Sequence, residues 1–301
     1  MTSADRKLVI VLAAFAALGL AAGVASPAGR RGAADEAADG KPADDRPWRT
    51  AWTGRTRHYF IRTNISRERL DEYSKYLEAL YDDYSRFFNI KGRTPIMGVF
   101  VFKNRDEFDE FSGAIGYRAS RSTRGFYTRR GGEPLTASYD LDIGGFTTRN
   151  VLAHECTHQF VDLAVPFDVP IWLNEGLAVY FEPSKWDGKK LETGVLPAAR
   201  LRSLKRRIEA GDDLPLKDVV LADRAEFTVD HYGAAWSLVH FLIHADRKRY
   251  RKSFNDYFVA LQRGVDPQKA FEGTIGRQFK SWDDLQKKWK AYVLALEPEK
   301  D

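Results

Sequence analysis

Two histidines four residues apart, with a glutamate directly after the first, constrain this chain more than any other feature. His154, Glu155 and His158 lie in the segment His154-Glu155-Cys156-Thr157-His158. Residues i and i+4 share one face of an α-helix, so both imidazoles can offer a nitrogen to one metal ion. The glutamate lies beside that ion, where it can take a proton from a bound water. The segment therefore predicts a helix over about 149–163 that holds a zinc ion and activates water.

A glutamate further along the chain is the candidate third ligand. Pro170 suits the first turn of a helix, because its missing N–H needs no partner there. Glu175 follows within that predicted helix. If the two helices pack antiparallel, its carboxylate returns beside His154 and His158. Two histidines and one glutamate leave a fourth position for water, which is typical of catalytic zinc sites. The alternative is an ordinary exposed glutamate.

These two segments together resemble the gluzincin clan of metallopeptidases. Residues 154–159 and 172–182 carry the likeness, and 232–241 carry a weaker one. Within the clan, the chain is most similar to the peptidase-MA-like bacterial domains, several of which have no known function. The resemblance implies a zincin-like fold, with Zn²⁺ held by His154, His158 and Glu175. It also implies that Glu155 is the general base.

Three departures from the clan bear on the type of peptidase. The interval from His158 to Glu175 is slightly shorter than in thermolysin-like members. Val179 stands where those members carry an acidic residue that supports a ligand. The chain also lacks the Gly-x-Met-Glu-Asn segment with which aminopeptidases of the clan hold a free amino terminus. Endopeptidase and exopeptidase action both remain open.

Hydrolysis of an amide develops negative charge on the substrate oxygen, which needs a second electrophile beside the metal. His231 and Tyr232 lie at the start of a predicted helix that runs to about residue 245. A tyrosine or histidine from a later helix has this role in gluzincins, and Tyr232 is the preferred candidate. The alternative is that both side chains only pack.

Three further expectations concern the surroundings of the site. Asn174 could bond a substrate backbone or cap its own helix, and capping is the preferred interpretation. The strand predicted over Leu135–Tyr139 is expected to form a sheet edge beside the cleft, to which an extended peptide could add. Cys156 points away from the histidines on a helical wheel and is expected to be a small core residue.

The remaining pattern predicts an α+β fold. Aromatic and β-branched runs at 58–63 and 96–102 indicate strands, with helical spacing between them over 68–88. Gly131-Gly132, between β-prone runs, indicates a hairpin. Residues 48–146 therefore form a small N-terminal α/β part with four or five strands in a mixed sheet. Residues 147–298 form a mostly helical catalytic part that carries the two histidines.

The first residues have the layout of an export signal. Arg6 and Lys7 precede an apolar run over 8–25, which predicts a cleaved signal peptide or an uncleaved anchor in 1–25. Residues 26–47 contain almost no large apolar side chains and predict a disordered linker. The protein is thus expected to be periplasmic, extracellular or membrane-anchored, with membrane association through 8–25 if the signal is not cleaved.

Composition excludes several other classes. With 47 basic and 42 acidic residues, the net charge of +5 is too evenly balanced for a nucleic-acid partner. A single cysteine excludes an intrachain disulfide and a cysteine-rich structural zinc site. His240 and His244 repeat the spacing of four, but no glutamate follows the first, and packing in the core or at its rim is the better interpretation.

The sequence therefore predicts an exported zinc metallopeptidase that acts on a peptide or protein substrate. Two alternatives remain open. One is a non-catalytic envelope binding or scaffold module with a zincin-like fold, and the other is a zinc amidohydrolase for a non-peptide amide. Cleavage specificity and oligomeric state cannot be read from the sequence.

Overall fold

The computed structural model describes residues 51–88 and 94–298. They form a mixed α+β structure with a sheet in the N-terminal half and mainly helices in the C-terminal half, as the sequence predicts. The expected signal or anchor (1–25) and linker (26–47) lie outside the described residues. In the part of the chain that is described, no helix has both the length and the apolar character needed to cross a membrane.

Five strands form the main sheet, in the order β1-β2-β3-β5-β4. They are β1 (Trp52–Arg55), β2 (Tyr59–Thr63), β3 (Met97–Phe102), β4 (Gly125–Arg130) and β5 (Glu133–Tyr139). The pairs β2/β3 and β3/β5 are parallel, whereas β1/β2 and β4/β5 are antiparallel. The predicted mixed sheet is confirmed, with β3 at its centre.

The predicted edge strand is wrong. β5 pairs with β3 on one side and with β4 on the other, so β4 is the edge. Gly131 and Gly132 connect the hairpin with φ angles of 58° and 89°. Such a turn places β4 directly against the side of β5 that β3 leaves open.

Side chains of β3 alternate between the two faces of the sheet. Met97, Val99 and Val101 join the main core, in which helix α1 (Arg67–Phe87) packs on the sheet. Phe100 and Phe102 join a smaller core under helix α2 (Arg105–Ala114). The side-chain oxygens of Ser66 and Asn104 cap these helices by accepting hydrogen bonds from backbone N–H groups.

Within the described residues, the C-terminal half is built from eight α-helices and one short 3₁₀ helix (Gly276–Gln278). The α-helices are α3 (Thr148–Ala164), α4 (Ile171–Phe181), α5 (Ala198–Ala210), α6 (Leu216–Leu221), α7 (Val229–Lys248), α8 (Arg251–Gln262), α9 (Pro267–Gly273) and α10 (Trp282–Ala295). Two short hairpins, β6 (Asp142–Ile143) with β7 (Phe146–Thr147) and β8 (Lys185–Trp186) with β9 (Leu191–Glu192), precede α3 and α5. Helical dihedral angles in α7 end before Ala245, near the predicted boundary.

Almost all side chains of α4 are buried, so this helix lies in the interior of the helical half. Trp172 and Leu173 are fully buried, as the sequence predicts. Gly176 faces α7 so closely that an added Cβ would lie 2.8 Å from the carbonyl oxygen of Ala235. This close packing between α3 and α7 fixes the position of α4, and with it that of Glu175.

Candidate metal centre

Helix α3 presents His154 and His158 on one face, with ring centroids 4.9 Å apart. Thr147 is its N-cap, and its backbone N–H donates a 2.8 Å hydrogen bond to Oδ1 of Asn150. Tyr84 of α1 donates to the carbonyl oxygen of Ala153 at 2.9 Å. The helix is therefore anchored at its start and behind the two histidines.

Glu175 returns to this face from α4. Its Oε2 lies 3.6 Å from Nε2 of His154 and 3.6 Å from Nε2 of His158. One ligand atom from each residue lies within 4.8 Å of the others. These three side chains form a group, largely shielded from solvent, that could hold a metal ion.

The Nδ1 atom of each imidazole is hydrogen-bonded to a side chain of α4 or its C-cap. Nδ1 of His154 donates to Oε2 of Glu182 at 2.9 Å. Nδ1 of His158 donates to Oδ1 of Asn174 at 3.0 Å. A proton on each Nδ1 directs Nε2, the nitrogen that would bind a metal ion, toward Glu175. Two imidazole nitrogens and one carboxylate are a donor set that suits a divalent ion such as zinc.

Asn174 corrects an expectation from the sequence. Pro170, not Asn174, occupies the N-cap position of α4. Asn174 lies four residues later, on the side of α4 that faces α3, and its side chain orients His158. A capping role is excluded by this position, because the helix has already begun.

Glu182 is a residue that sequence reasoning missed. The resemblance to thermolysin-like peptidases places an acidic residue at position 179, but Val179 is fully buried in the core. Glu182 lies one turn later, where α4 ends, and its carboxylate also contacts Arg200 at 3.5 Å. Its spacing of seven from Glu175 places both carboxylates on one side of the helix, which is the signal that could have revealed it.

The carboxylates strongly affect the protonation of the metal-free cluster. Burial lowers the pKa of His154, but interactions with the carboxylates of Glu175 and Glu182 outweigh it and raise the pKa to about 10. Burial acts to raise the pKa of Glu175, but its contacts with both histidines give a net lowering. In the metal-free cluster, the positive charge of protonated His154 therefore balances the nearby carboxylates, as a metal cation would.

Glu155 lies beside the cluster in the same cleft. Desolvation raises the pKa of its carboxyl above the ordinary value, and the charge of Glu175 adds to that rise. Gly125 of β4 permits the close approach of the strand: an added Cβ would lie 2.5 Å from Val151 and 3.3 Å from Cγ of Glu155. The edge strand thus borders the glutamate directly.

The cleft over the cluster has a volume of about 270 Å³. Its lining residues are Tyr117, Gly125, Phe126, Tyr127, His154, Glu155, His158, Asn174, Glu175, Arg224 and Tyr232. Arg224, in the loop between α6 and α7, was not singled out in the sequence, because no motif surrounds it.

The two candidate electrophiles are separated by the structure. Tyr232 lines the cleft, and desolvation followed by the charge of Glu175 raises the pKa of its hydroxyl, so the hydroxyl stays protonated. His231 does not line the cleft. Its Nδ1 accepts a 3.1 Å hydrogen bond from the backbone N–H of Thr228 at the start of α7. The position of His231 therefore argues against its predicted role.

The other histidines and the cysteine have structural surroundings. Tyr292 donates to Nδ1 of His240 at 2.7 Å, and Tyr180 donates to Nε2 of His244 at 2.9 Å. Cys156 is fully buried, and burial raises the pKa of its thiol. His240 and Cys156 are buried and His244 is half-buried, which confirms the predicted packing in the core or at its rim.

Comparison with known proteins adds a family match and no activity. No curated protein matches the chain. Residues 149–260 match the family described as "Protein of unknown function (DUF1570)". The match covers less than half of the chain, but it includes His154, His158, Glu175 and Tyr232.

Proposed function

We propose that this protein is a zinc-dependent metallopeptidase of the gluzincin type. The observation that carries the proposal is the convergence of two Nε2 atoms on one carboxylate oxygen, each at 3.6 Å, with Glu155 in the same cleft. A structural zinc site would need four protein ligands, whereas this group offers three. Three ligands beside an open cleft are the arrangement that catalysis requires.

His154, His158 and Glu175 would hold the ion. When bound, zinc supplies Lewis acidity and makes water more acidic at this position. The Glu155 carboxylate accepts a proton from the attacking water and passes it to the leaving amine. The protonated hydroxyl of Tyr232 donates a hydrogen bond to the substrate oxygen as negative charge develops.

An extended peptide adds to the outer side of β4. Edge strands present unpaired backbone groups to which a further strand can pair. Gly125, Phe126 and Tyr127 of this strand line the cleft next to Glu155. Strand addition would place the scissile amide beside the general base. β5, the strand that the sequence predicts for peptide addition, is paired on both sides, so we assign this role to β4.

The proposal includes a zincin-like fold and export from the cytoplasm. The fold assignment is supported by a mixed sheet packed on the helix that bears the histidines, followed by a second helix that supplies Glu175. The export assignment rests on the basic and apolar pattern of residues 1–25.

The test is hydrolysis of casein and of a mixed peptide library by zinc-loaded protein, with Glu155→Gln as the matched variant. We expect cleavage by the wild type, and a loss of at least about a hundredfold in Glu155→Gln with zinc content retained. Zinc binding without cleavage of any amide would support a non-catalytic module instead. Cleavage restricted to non-peptide amides would support an amidohydrolase.

A further inference from the structure

Arg224 is the only lysine or arginine among the residues described as lining the cleft. It lies in the connection between α6 and α7, and its side chain is exposed to solvent. Tyr232, the proposed electrophile, lines the same cleft. A cation at this position is available to a ligand that reaches the metal cluster.

The loop orders the residues beside Arg224 without pairing its guanidinium. Oδ1 of Asp223 accepts hydrogen bonds from the N–H groups of Ala225 and Glu226, at 2.8 and 3.0 Å. Oε2 of Glu226 accepts from the N–H of Asp223 at 3.1 Å. Both neighbouring carboxylates are therefore engaged with the backbone. Across residues 51–88 and 94–298, no hydrogen bond or ion pair joins the Arg224 guanidinium to another side chain.

The charge of Arg224 reaches the reacting region. Desolvation is the main cause of the raised pKa values of Tyr117 and Tyr232, and in both the guanidinium opposes that rise. The two carboxylates of the cleft, Glu155 and Glu175, would balance one divalent ion. Arg224 then adds one positive charge to the lining of the loaded cleft, which favours an anionic ligand there.

We propose that Arg224 determines specificity by binding a substrate carboxylate next to the scissile amide. This inference rests on the proposed function and names its substrate class. A guanidinium pairs with a carboxylate through two parallel hydrogen bonds, which gives direction as well as attraction. The carboxylate comes either from the free C-terminus of a peptide or from an aspartate or glutamate side chain.

Two matched pairs of peptides distinguish these sources. One pair differs only in a C-terminal carboxylate or carboxamide, and the other only in an internal Asp or Asn beside the cleaved bond. We expect wild-type kcat/KM to favour the anionic member of one pair by about 10- to 100-fold. Arg224→Gln removes most of that preference and Arg224→Lys restores part of it. Arg202→Gln, at an exposed arginine of α5, keeps it.

A binding measurement separates this inference from the peptidase proposal. Two hydroxamates, one with a carboxylate and one with a carboxamide, are titrated calorimetrically into the zinc-loaded protein. The carboxylate compound binds at least about tenfold tighter to the wild type, and the difference disappears in Arg224→Gln. If this result is obtained while no peptide is cleaved, the peptidase proposal fails and the role of Arg224 stands.

Three outcomes overturn the inference. The first is equal affinity or rate for both members of every pair in the wild type. The second is an equal loss for anionic and neutral members in Arg224→Gln, which would indicate a general rather than a selective role. The third is failure of both hydroxamates to bind the zinc-loaded protein.

Discussion

His154 donates a 2.9 Å hydrogen bond from Nδ1 to Oε2 of Glu182, the residue at which α4 ends. The bond joins the far end of α4 to the first histidine of α3. Asn174 makes the equivalent contact with His158 near the start of α4. The helix that supplies the third ligand therefore also orients the other two.

Glu182→Ala is expected to weaken zinc affinity by about 10- to 100-fold, because His154 loses the acceptor that fixes its ring. The affinity is measured by competition with a chromogenic chelator. Glu209→Ala removes an exposed carboxylate of α5 and serves as the control. Equal affinities in the two variants would show that the hydrogen bond does not support the site.

Zinc binding is expected to release about one proton from His154 near pH 8. Its pKa is raised to about 10 in the metal-free protein, so the imidazole is protonated at pH 8 and must lose that proton to bind metal. The apparent affinity for zinc should therefore rise with pH up to the pKa of His154, about 10. Calorimetric titration in two buffers of different ionisation enthalpy counts the protons. A count of zero would contradict the ion-paired description of the empty cluster.

Gly176→Ala is expected to destabilise the fold by about 1–3 kcal/mol. The new methyl group would lie 2.8 Å from the carbonyl oxygen of Ala235 and from Cγ2 of Val239, so α4 and α7 must separate. Gly233→Ala is the control, since no atom lies within 4 Å of an added Cβ there. Urea unfolding should show the control to be as stable as the wild type or more stable by up to about 1 kcal/mol. Similar midpoints for both variants would argue against the close contact.

Cys156 is expected to resist thiol reagents in the folded protein. It is fully buried, and burial raises the pKa of the thiol, so little thiolate forms at neutral pH. Labelling by a chromogenic disulfide should follow the unfolding transition in urea. Rapid stoichiometric labelling of the native protein would show that the described packing behind the histidines is wrong.

Local spacing explains which parts of this structure could be predicted. His154 and His158 share a helical face by periodicity alone, and the hairpin follows from two adjacent glycines. The order of strands is decided by distant pairing, so the sequence could not show that β4 rather than β5 forms the edge.

The surroundings of the ligands depend on tertiary packing in the same way. The sequence does not show which residues of α4 face α3, or which side of α7 faces the cleft. The sequence therefore predicts a cap at Asn174, gives no role to Glu182, and does not show that His231 binds its own helix start instead of lining the cleft. Arg224 lies in a loop, where no periodicity indicates which way a side chain points.

The most direct test of the central claim is a crystal of the zinc-loaded protein measured at the zinc absorption edge. We predict one anomalous peak about 2.0–2.2 Å from Nε2 of His154, Nε2 of His158 and a carboxylate oxygen of Glu175. A fully loaded crystal with no peak among these three side chains, or with Glu175 turned away from the ion, would contradict the account.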